Sequence, residues 1–137
     1  MIIGMANPMR EVGSREELEN RFGFSLPGFS GREVKKYYAY VLPKGKNGDD
    51  GARVIFADGD EYRVFRGGGR DVSGIYGGSE YGNGIYMGVE IRMYTYSDLH
   101  YSVFSVGDFS CSYICGKESH TDPLPASRRI IWRLKTK

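Results

Sequence analysis

Apolar and polar residues alternate along several stretches of this chain, which is the pattern of a β-strand with one buried face. The clearest stretch is 89–94, where Val89, Ile91 and Met93 would lie on one face and the residues between them on the other. Other segments between residues 32 and 115 are rich in the aromatic and β-branched residues that strands favour. The dominant pattern therefore predicts a mostly β protein.

Two dipeptides mark tight turns between such segments. Asp58 and Gly59 lie between two apolar-rich runs and predict a type I′ hairpin turn. Gly107 and Asp108 predict a type II′ turn in a second hairpin. Strands joined by two-residue turns are antiparallel neighbours. The sequence therefore predicts a curled antiparallel β-meander of six or seven strands.

Two segments near the chain ends carry helical signals instead. Ser14 can cap a short helix, and Glu17 three residues later completes a capping box. In the segment 121–135, Asp122 can cap and Pro123 suits the first helical position. One apolar stripe follows, formed by Leu124, Ile131 and Leu134. A short N-terminal helix and a C-terminal helix on one antiparallel sheet make an α+β domain.

Length and charge limit the possible classes of protein. The 137 residues fit a single domain, 1–137, with a core of ordinary size. The 19 basic and 17 acidic residues leave a net charge of +2, too small and evenly mixed for a nucleic-acid-binding surface over the whole protein. The N-terminal segment lacks the charged region of a signal peptide, and no apolar run is long enough to span a bilayer. We expect a cytoplasmic protein, or an extracytoplasmic one if a leader or an anchor has been removed.

The two cysteines, Cys111 and Cys115, lie four residues apart in a predicted strand. An extended chain separates their Cα atoms by about 13 Å, whereas a disulfide needs about 5.5 Å. The same distance argues against a zinc site completed by His120, because two thiolates on one metal lie within about 4 Å of each other. We therefore expect buried, unbonded thiols, with no metal and no cofactor.

The segment 65–84, FRGGGRDVSGIYGGSEYGNG, raises the question of what its glycines do. A Walker-type phosphate loop needs a lysine, which is missing here, and the dinucleotide fingerprint fails at Val72. A nucleic-acid role through Arg66, Arg70 and Tyr76 stays open, because arginines contact phosphates and tyrosine rings stack on bases. The preferred interpretation is a connection between two strands.

Asp71 and Ser73, inside this segment, suit an Asx-type turn in which the carboxylate accepts a backbone amide two residues further on. They could instead belong to a binding site, because loops often carry functional residues. As a connection, the segment is expected to be ordered at these two residues and mobile at 67–69 and 77–78, where glycines leave the backbone free.

Three stretches, NPMREVGSREELENRFGFSLP, DVSGIYGG and GVEIRMY, resemble a family of small bacterial domains of unknown function. The resemblance runs from Asn7 to about Cys115. Members of that family occur alone or as the extracytoplasmic end of membrane-anchored proteins. The resemblance implies an α+β fold with a curled antiparallel sheet, and it implies no known enzyme activity, cofactor or catalytic residue.

Two motifs carry this resemblance residue by residue. They are the N-terminal motif Asn7, Pro8 and Met9, and the aspartate-x-serine-glycine segment with Asp71, Ser73, Gly74 and Tyr76. The chain departs from the family's pattern through extra glycines around the second motif and through its arginine-rich end.

Asp98 and His100 are the candidate pair for acid–base chemistry, because a carboxylate can orient an imidazole. Neither a G-x-S-x-G nor an H-E-x-x-H motif accompanies them, so a polar turn is the preferred interpretation.

The C-terminal segment SRRIIWRLKTK is both basic and amphipathic. It predicts a helix whose apolar stripe packs on the sheet and whose cations lie near the negative end of the helix dipole. Alternatively, such a helix binds anionic lipid or docks on a partner.

We therefore expect a small, non-catalytic binding module whose partner is a protein or a small ligand. The candidate binding or structural residues are Asn7, Arg66, Arg70, Asp71, Ser73 and Tyr76. A nucleic-acid-associated module that uses the Arg/Gly/Tyr loop is a disfavoured alternative, and a hydrolase-type enzyme is the third hypothesis.

Overall fold

The computed structural model describes residues 9–22, 33–40, 51–69, 71–116 and 121–136. Asn7, Arg70 and His120, on which hypotheses from the sequence depend, lie outside the described residues. Within the described ranges the elements are, in chain order, β1 (Met9–Val12), α1 (Arg15–Phe22), β2 (Val34–Tyr40), β3 (Gly51–Phe56), β4 (Glu61–Arg66), β5 (Ser79–Tyr86), β6 (Val89–Tyr96), β7 (Leu99–Val106), β8 (Phe109–Cys115) and α2 (Leu124–Lys135).

All the strands form one antiparallel sheet in the order β1-β2-β3-β4-β8-β7-β6-β5. The α+β class and the antiparallel sheet are therefore confirmed, but the described residues form eight strands rather than the predicted six or seven. The sequence pattern did not indicate β1, which has four residues, or β5, which is glycine-rich.

The sheet is not a simple meander, because β5 does not neighbour β4. The partner of β4 is β8, and β5 lies at the sheet edge beyond β8, β7 and β6. Successive antiparallel pairings give β4 and β5 the same direction. The chain must therefore travel from the end of the sheet where β4 finishes to the opposite end, where β5 begins. Residues 67–78 make this passage, and we call them the crossing segment.

The predicted connection is thus confirmed only as far as Gly78. From Ser79 onward the chain forms β5, with Ser79 opposite Thr95 and Gly84 opposite Ile91. A register shift between Glu80 and Gly82 keeps the strand paired with β6. This glycine-rich stretch has a weak strand propensity of its own. It forms a strand because it pairs with β6, since the context of a segment can override its propensity.

One face of the sheet, here called the core face, packs against both helices. Leu18 of α1 and Ile130 and Ile131 of α2 are completely buried there. The predicted inward face of β6 is confirmed, since Val89 and Ile91 are both buried. The remaining strands contribute Ala39, Ala52, Val54, Phe56, Tyr62, Val64, Phe104, Val106, Cys111, Tyr113 and Cys115.

Side chains fix the start of each helix. In α1 the predicted Ser14 cap is present, because the Glu17 amide donates to Ser14 Oγ over 3.2 Å. Glu17 Oε1 reaches back as predicted, but it accepts from the Gly13 amide over 3.1 Å and not from the Ser14 amide that a capping box uses. In α2 the N-cap is Pro123, not the predicted Asp122, and the helix begins at Leu124, one residue later than the sequence predicts. The Leu124 amide donates to Asp122 Oδ1 over 3.0 Å. Among the described residues, neither helix has the length and apolar character needed to cross a bilayer.

Of the two predicted hairpin turns, the structure agrees with the type II′ turn and contradicts the type I′ turn. Gly107 has a φ of +58°, as the first central position of a type II′ turn requires. At the other turn, φ is positive at Gly59 (+98°) but not at Asp58. The Phe56 amide donates to the Asp60 carbonyl oxygen over 2.9 Å, which closes a three-residue loop ending in a left-handed glycine. The predicted type I′ turn is therefore wrong, although its hairpin is present.

Both cysteines lie on β8, and both are free and buried, as their spacing along a strand predicts. Burial raises the pKa of the Cys111 thiol to about 12. The Tyr62 hydroxyl lies 3.7 Å from Cys111 Sγ, and burial also raises the pKa of that hydroxyl. Both groups are therefore neutral at physiological pH.

Candidate functional site

The face of the sheet opposite the core face, here called the second face, carries charged and aromatic strand residues. Side chains of directly paired residues share a face, so Tyr94 of β6 lies beside Tyr101 of β7. Their rings stack, with centroids 5.3 Å apart and 13° between the ring planes. Tyr101 is only 1% exposed. The crossing segment supplies its cover.

At its start the crossing segment is hydrogen-bonded to the β7–β8 hairpin. The Gly67 amide donates to the Asp108 carbonyl oxygen over 2.6 Å, and Ser110 Oγ donates to the Gly67 carbonyl oxygen over 2.5 Å. The Gly69 amide donates to Ser105 Oγ over 2.8 Å. The main chain of Gly67 and Gly69 is therefore hydrogen-bonded to the hairpin, and the predicted mobility of this stretch stays a prediction.

The middle of the crossing segment contains the predicted Asx-type turn. Asp71 Oδ1 accepts hydrogen bonds from the Ser73 amide over 2.9 Å and from Ser73 Oγ over 2.7 Å. Ser73 Oγ in turn accepts from the Ile75 amide over 3.2 Å. Ser73 is 1% exposed, whereas Asp71 is exposed. The motif therefore fixes the local backbone and still presents a carboxylate to solvent.

In its second half the crossing segment rests on a charged cluster of the second face. A Cβ atom on Gly74 would lie 2.5 Å from Arg63 Nη1, and Gly74 has a φ of +75°. Arg63 and Arg53 both donate hydrogen bonds to Glu61, and Arg53 does so through two nitrogens. These side chains are partly buried, so the main chain lies on a fixed polar surface.

The end of the crossing segment lies directly against Tyr101. A Cβ atom on Gly78 would overlap Tyr101 Oη and would lie 3.0 Å from Cζ. Burial raises the pKa of the Tyr101 hydroxyl, and the charges of Asp71 and Tyr94 raise it further, against the effect of a hydrogen bond with Ser73. This hydroxyl therefore stays protonated and links the segment to the sheet.

A cleft of about 390 Å³ lies between the crossing segment and strands β6 and β7. Its volume falls within the range of small-ligand sites, roughly 300–1,000 Å³. Its lining residues are Gly69, Asp71, Glu90, Arg92, Tyr94, Val103, Phe104 and Ser105. The predicted candidate Asp71 therefore lines a concave site, together with residues that no motif in the sequence singled out.

The cleft carries two carboxylates and one guanidinium. Arg92 Nε lies 3.7 Å from Glu90 Oε1. A hydrogen bond with Tyr94 raises the pKa of Arg92, and the Glu90 charge adds to that effect. Among the described lining residues, Arg92 is the one cation, and Glu90 and Tyr94 both act on it, so Asp71 is the carboxylate that is left without a described cationic partner in the lining.

The structure does not bring the other predicted site residues together. The Arg66 guanidinium lies over the Phe109 ring, 5.9 Å from its centroid, where β4 ends. Tyr76 is 90% exposed near the other end of the crossing segment. Asn7 and Arg70 lie outside the described residues. Arg66 and Tyr76 therefore belong to opposite ends of the crossing segment, and the nucleic-acid hypothesis stays a prediction.

Asp98 and His100 lie in different surroundings, since Asp98 is exposed and His100 is partly buried. Asp98 is exposed in the β6–β7 turn. His100 pairs with Cys115 across the sheet, and its ring meets the Tyr81 ring edge-on with the centroids 5.9 Å apart. Its Nδ1 is buried and has no hydrogen-bond partner among the described residues. Among the described residues, no hydrogen bond joins Asp98 to His100. The hypothesis of a reaction centre gains no support from this arrangement.

Comparison of the chain with protein-family models, with curated proteins and with solved structures found no match. The resemblance to small bacterial domains of unknown function therefore stays a hypothesis, carried by the two motifs at residues 7–9 and 71–76.

Proposed function

We propose that this protein is a non-catalytic binding module for a small polar ligand that carries a protonated amine. The proposed site is the cleft between the crossing segment and strands β6 and β7. The observation that carries the proposal is an open cleft of ligand size whose described lining residues include two carboxylates and one guanidinium.

The walls of the cleft are suited to binding because they are formed before any ligand arrives. The Gly69 amide is bonded to Ser105, and the Asp71 carboxylate is oriented by Ser73. Tyr94 is fixed by stacking on the buried Tyr101. A prepared site loses less conformational entropy when it binds.

The charges favour a cationic group over an anionic one. Glu90 and Asp71 attract an ammonium group, and the ring of Tyr94 adds a surface on which a cation is attracted by the aromatic quadrupole. Arg92 can meet a hydroxyl or carboxylate elsewhere on the same ligand. A zwitterion or an amino-substituted polyol fits this combination better than a phosphate does.

Nuclear magnetic resonance titration tests the proposal. Ethanolamine, glycine, glucosamine, glucose and inorganic phosphate are added to separate samples of the 15N-labelled protein. The three amines should shift the amide resonances of Gly69, Val103 and Ser105, whereas glucose and phosphate should not. Asp71→Asn keeps an acceptor for the turn, and this variant and Glu90→Gln should each weaken binding about fivefold, because an exposed ion pair contributes at most about 1 kcal/mol.

Asp98→Asn is the matched control, since it removes an exposed carboxylate outside the cleft. Its affinity for the amine should equal that of the wild type. Equal shifts with glucose, shifts that map outside the cleft, or no shift with any amine would contradict the proposal. A single-stranded oligonucleotide in the same titration tests the nucleic-acid alternative.

A further inference from the structure

Helix α2 presents a basic outer surface on the side away from the sheet. Its buried residues include Ser127, Ile130 and Ile131, so the helix already uses its apolar stripe for the core. The opposite side carries exposed residues that we call the basic helix surface, namely Arg128, Arg129, Trp132, Arg133 and Lys135. The helix contains no acidic residue.

The arrangement places one large aromatic ring among four cations. At 100° per residue, Arg128 and Lys135 lie on one side of Trp132, and Arg129 and Arg133 lie on the other. Trp132 is 49% exposed, whereas its helix neighbours Ile130 and Ile131 are completely buried in the core. An exposed tryptophan is uncommon enough on a small domain to suggest a contact surface.

Intramolecular contacts hold one side of this surface and leave the other available. The Arg128 guanidinium lies 5.9 Å from the centroid of the Tyr86 ring, and Lys135 Nζ donates to the Met87 carbonyl oxygen over 2.9 Å. Arg129 and Arg133 form no ion pair within the part of the chain that the structure describes. The Lys135 contact also brings the β5–β6 turn, with the exposed Met87 side chain, beside the last turn of the helix.

We propose that the basic helix surface binds a lipid bilayer that contains anionic headgroups. The charges are complementary, since cations near such a bilayer are attracted to its negative surface. Tryptophan is suited to the headgroup region, where its ring is partly in apolar surroundings and its indole N–H stays in polar ones. An extended acidic peptide would need a groove to lie in, and the outer surface of a helix is convex. A convex surface fits a broad, deformable bilayer better.

This surface is independent of the proposed cleft. Helix α2 packs on the core face through β6, β7 and β8, whereas the cleft opens on the second face. A protein bound through α2 therefore keeps its cleft directed away from the bilayer. Failure of either proposal leaves the other unchanged.

Trp132 is the only tryptophan in the chain, so intrinsic fluorescence reports on this surface directly. Vesicles of equimolar phosphatidylserine and phosphatidylcholine should shift the emission to shorter wavelength. Brominated phosphatidylcholine in the same vesicles should quench it. Vesicles of phosphatidylcholine alone should do neither, and added salt should reverse the effect because it screens exposed charges.

The double variant Arg129→Gln/Arg133→Gln keeps Trp132 and should weaken partitioning about 30-fold, since each cation near an anionic surface is worth about fivefold. The matched control is Lys35→Gln/Lys36→Gln. It also removes two positive charges, but from β2, which lies near the opposite edge of the sheet from β5 and β6. The control should retain at least half of the wild-type partition coefficient.

Three results with the vesicles would overturn the proposal. They are an unchanged emission with anionic vesicles, equal binding to vesicles without phosphatidylserine, and an equal loss in the control variant. Tighter binding to polyglutamate than to the anionic vesicles would assign the surface to an acidic polypeptide and would also overturn it.

Discussion

Gly78→Ala tests whether the crossing segment is packed on the sheet or only passes above it. The added Cβ would overlap Tyr101 Oη and lie 3.0 Å from Cζ. Tyr101 cannot move aside easily, because it is 1% exposed and its ring stacks on Tyr94 at 5.3 Å. The φ of Gly78 is not in the left-handed region, so steric overlap alone should cause the effect.

Overpacking of a filled site costs about 1–3 kcal/mol, so we expect Gly78→Ala to lower the free energy of unfolding by about 2 kcal/mol. Tyr101→Phe removes the overlapping hydroxyl together with its hydrogen bond to Ser73, which costs about 1 kcal/mol. In the double variant the methyl group has more room. The loss of unfolding free energy in the double variant should therefore be about 1–2 kcal/mol smaller than the sum of the losses in the two single variants.

Urea unfolding monitored by circular dichroism measures all four proteins of this double-mutant cycle. Gly84→Ala is the control, because a Cβ placed there would have no described atom within 4 Å apart from those of Gly84 and its two chain neighbours. Its free energy of unfolding should stay within about 0.5 kcal/mol of the wild type. Additivity of the two changes within about 0.5 kcal/mol would refute the packed arrangement of Gly78 on Tyr101.

Two further predictions concern buried titratable groups. The free energy of unfolding should be constant through neutral pH and fall above pH 9, because the Cys111 thiol ionises near 9.0 in the unfolded chain but near 12 in the folded protein. Each pH unit in that window removes about 1.4 kcal/mol, and Cys111→Ala should reduce the slope between pH 9 and 10 in urea unfolding. Both thiols should also resist 5,5′-dithiobis(2-nitrobenzoic acid) in the folded protein and react fully in guanidinium chloride, because Cys111 and Cys115 are at most 2% exposed. Reaction of one thiol per folded chain would contradict their burial.

Local patterns in the sequence predicted much of the sheet and both helices, because short-range physics determines those elements. Alternation placed Val89 and Ile91 on the core face, and the Ser14–Glu17 spacing located the start of α1. The Asx-type turn at Asp71 follows from one side chain and the amide two residues away. In each case the decisive partners lie within a few positions of one another.

The parts that the sequence did not predict depend on distant partners. The stretch that forms β5 has little strand propensity of its own and becomes a strand because β6 pairs with it. The cleft has the same origin. Asp71 comes from the crossing segment, whereas Arg92 and Ser105 come from strands that the topology places beneath it. Alternation indicated that Glu90, Arg92 and Tyr94 share one polar face, but not which segment would lie above them.

Two features explain the glycines of the crossing segment, namely positive φ at Gly67, Gly69, Gly74 and Gly77 and close approach to the sheet at Gly74 and Gly78. Gly74 rests on Arg63 and Gly78 on Tyr101, and a side chain at either position would lift the main chain off the second face. The amide of Gly69 is bonded instead to Ser105, beside the cleft. The glycines therefore let the main chain lie against the second face next to the proposed cleft, whose described carboxylates, Asp71 and Glu90, come from the crossing segment and from β6.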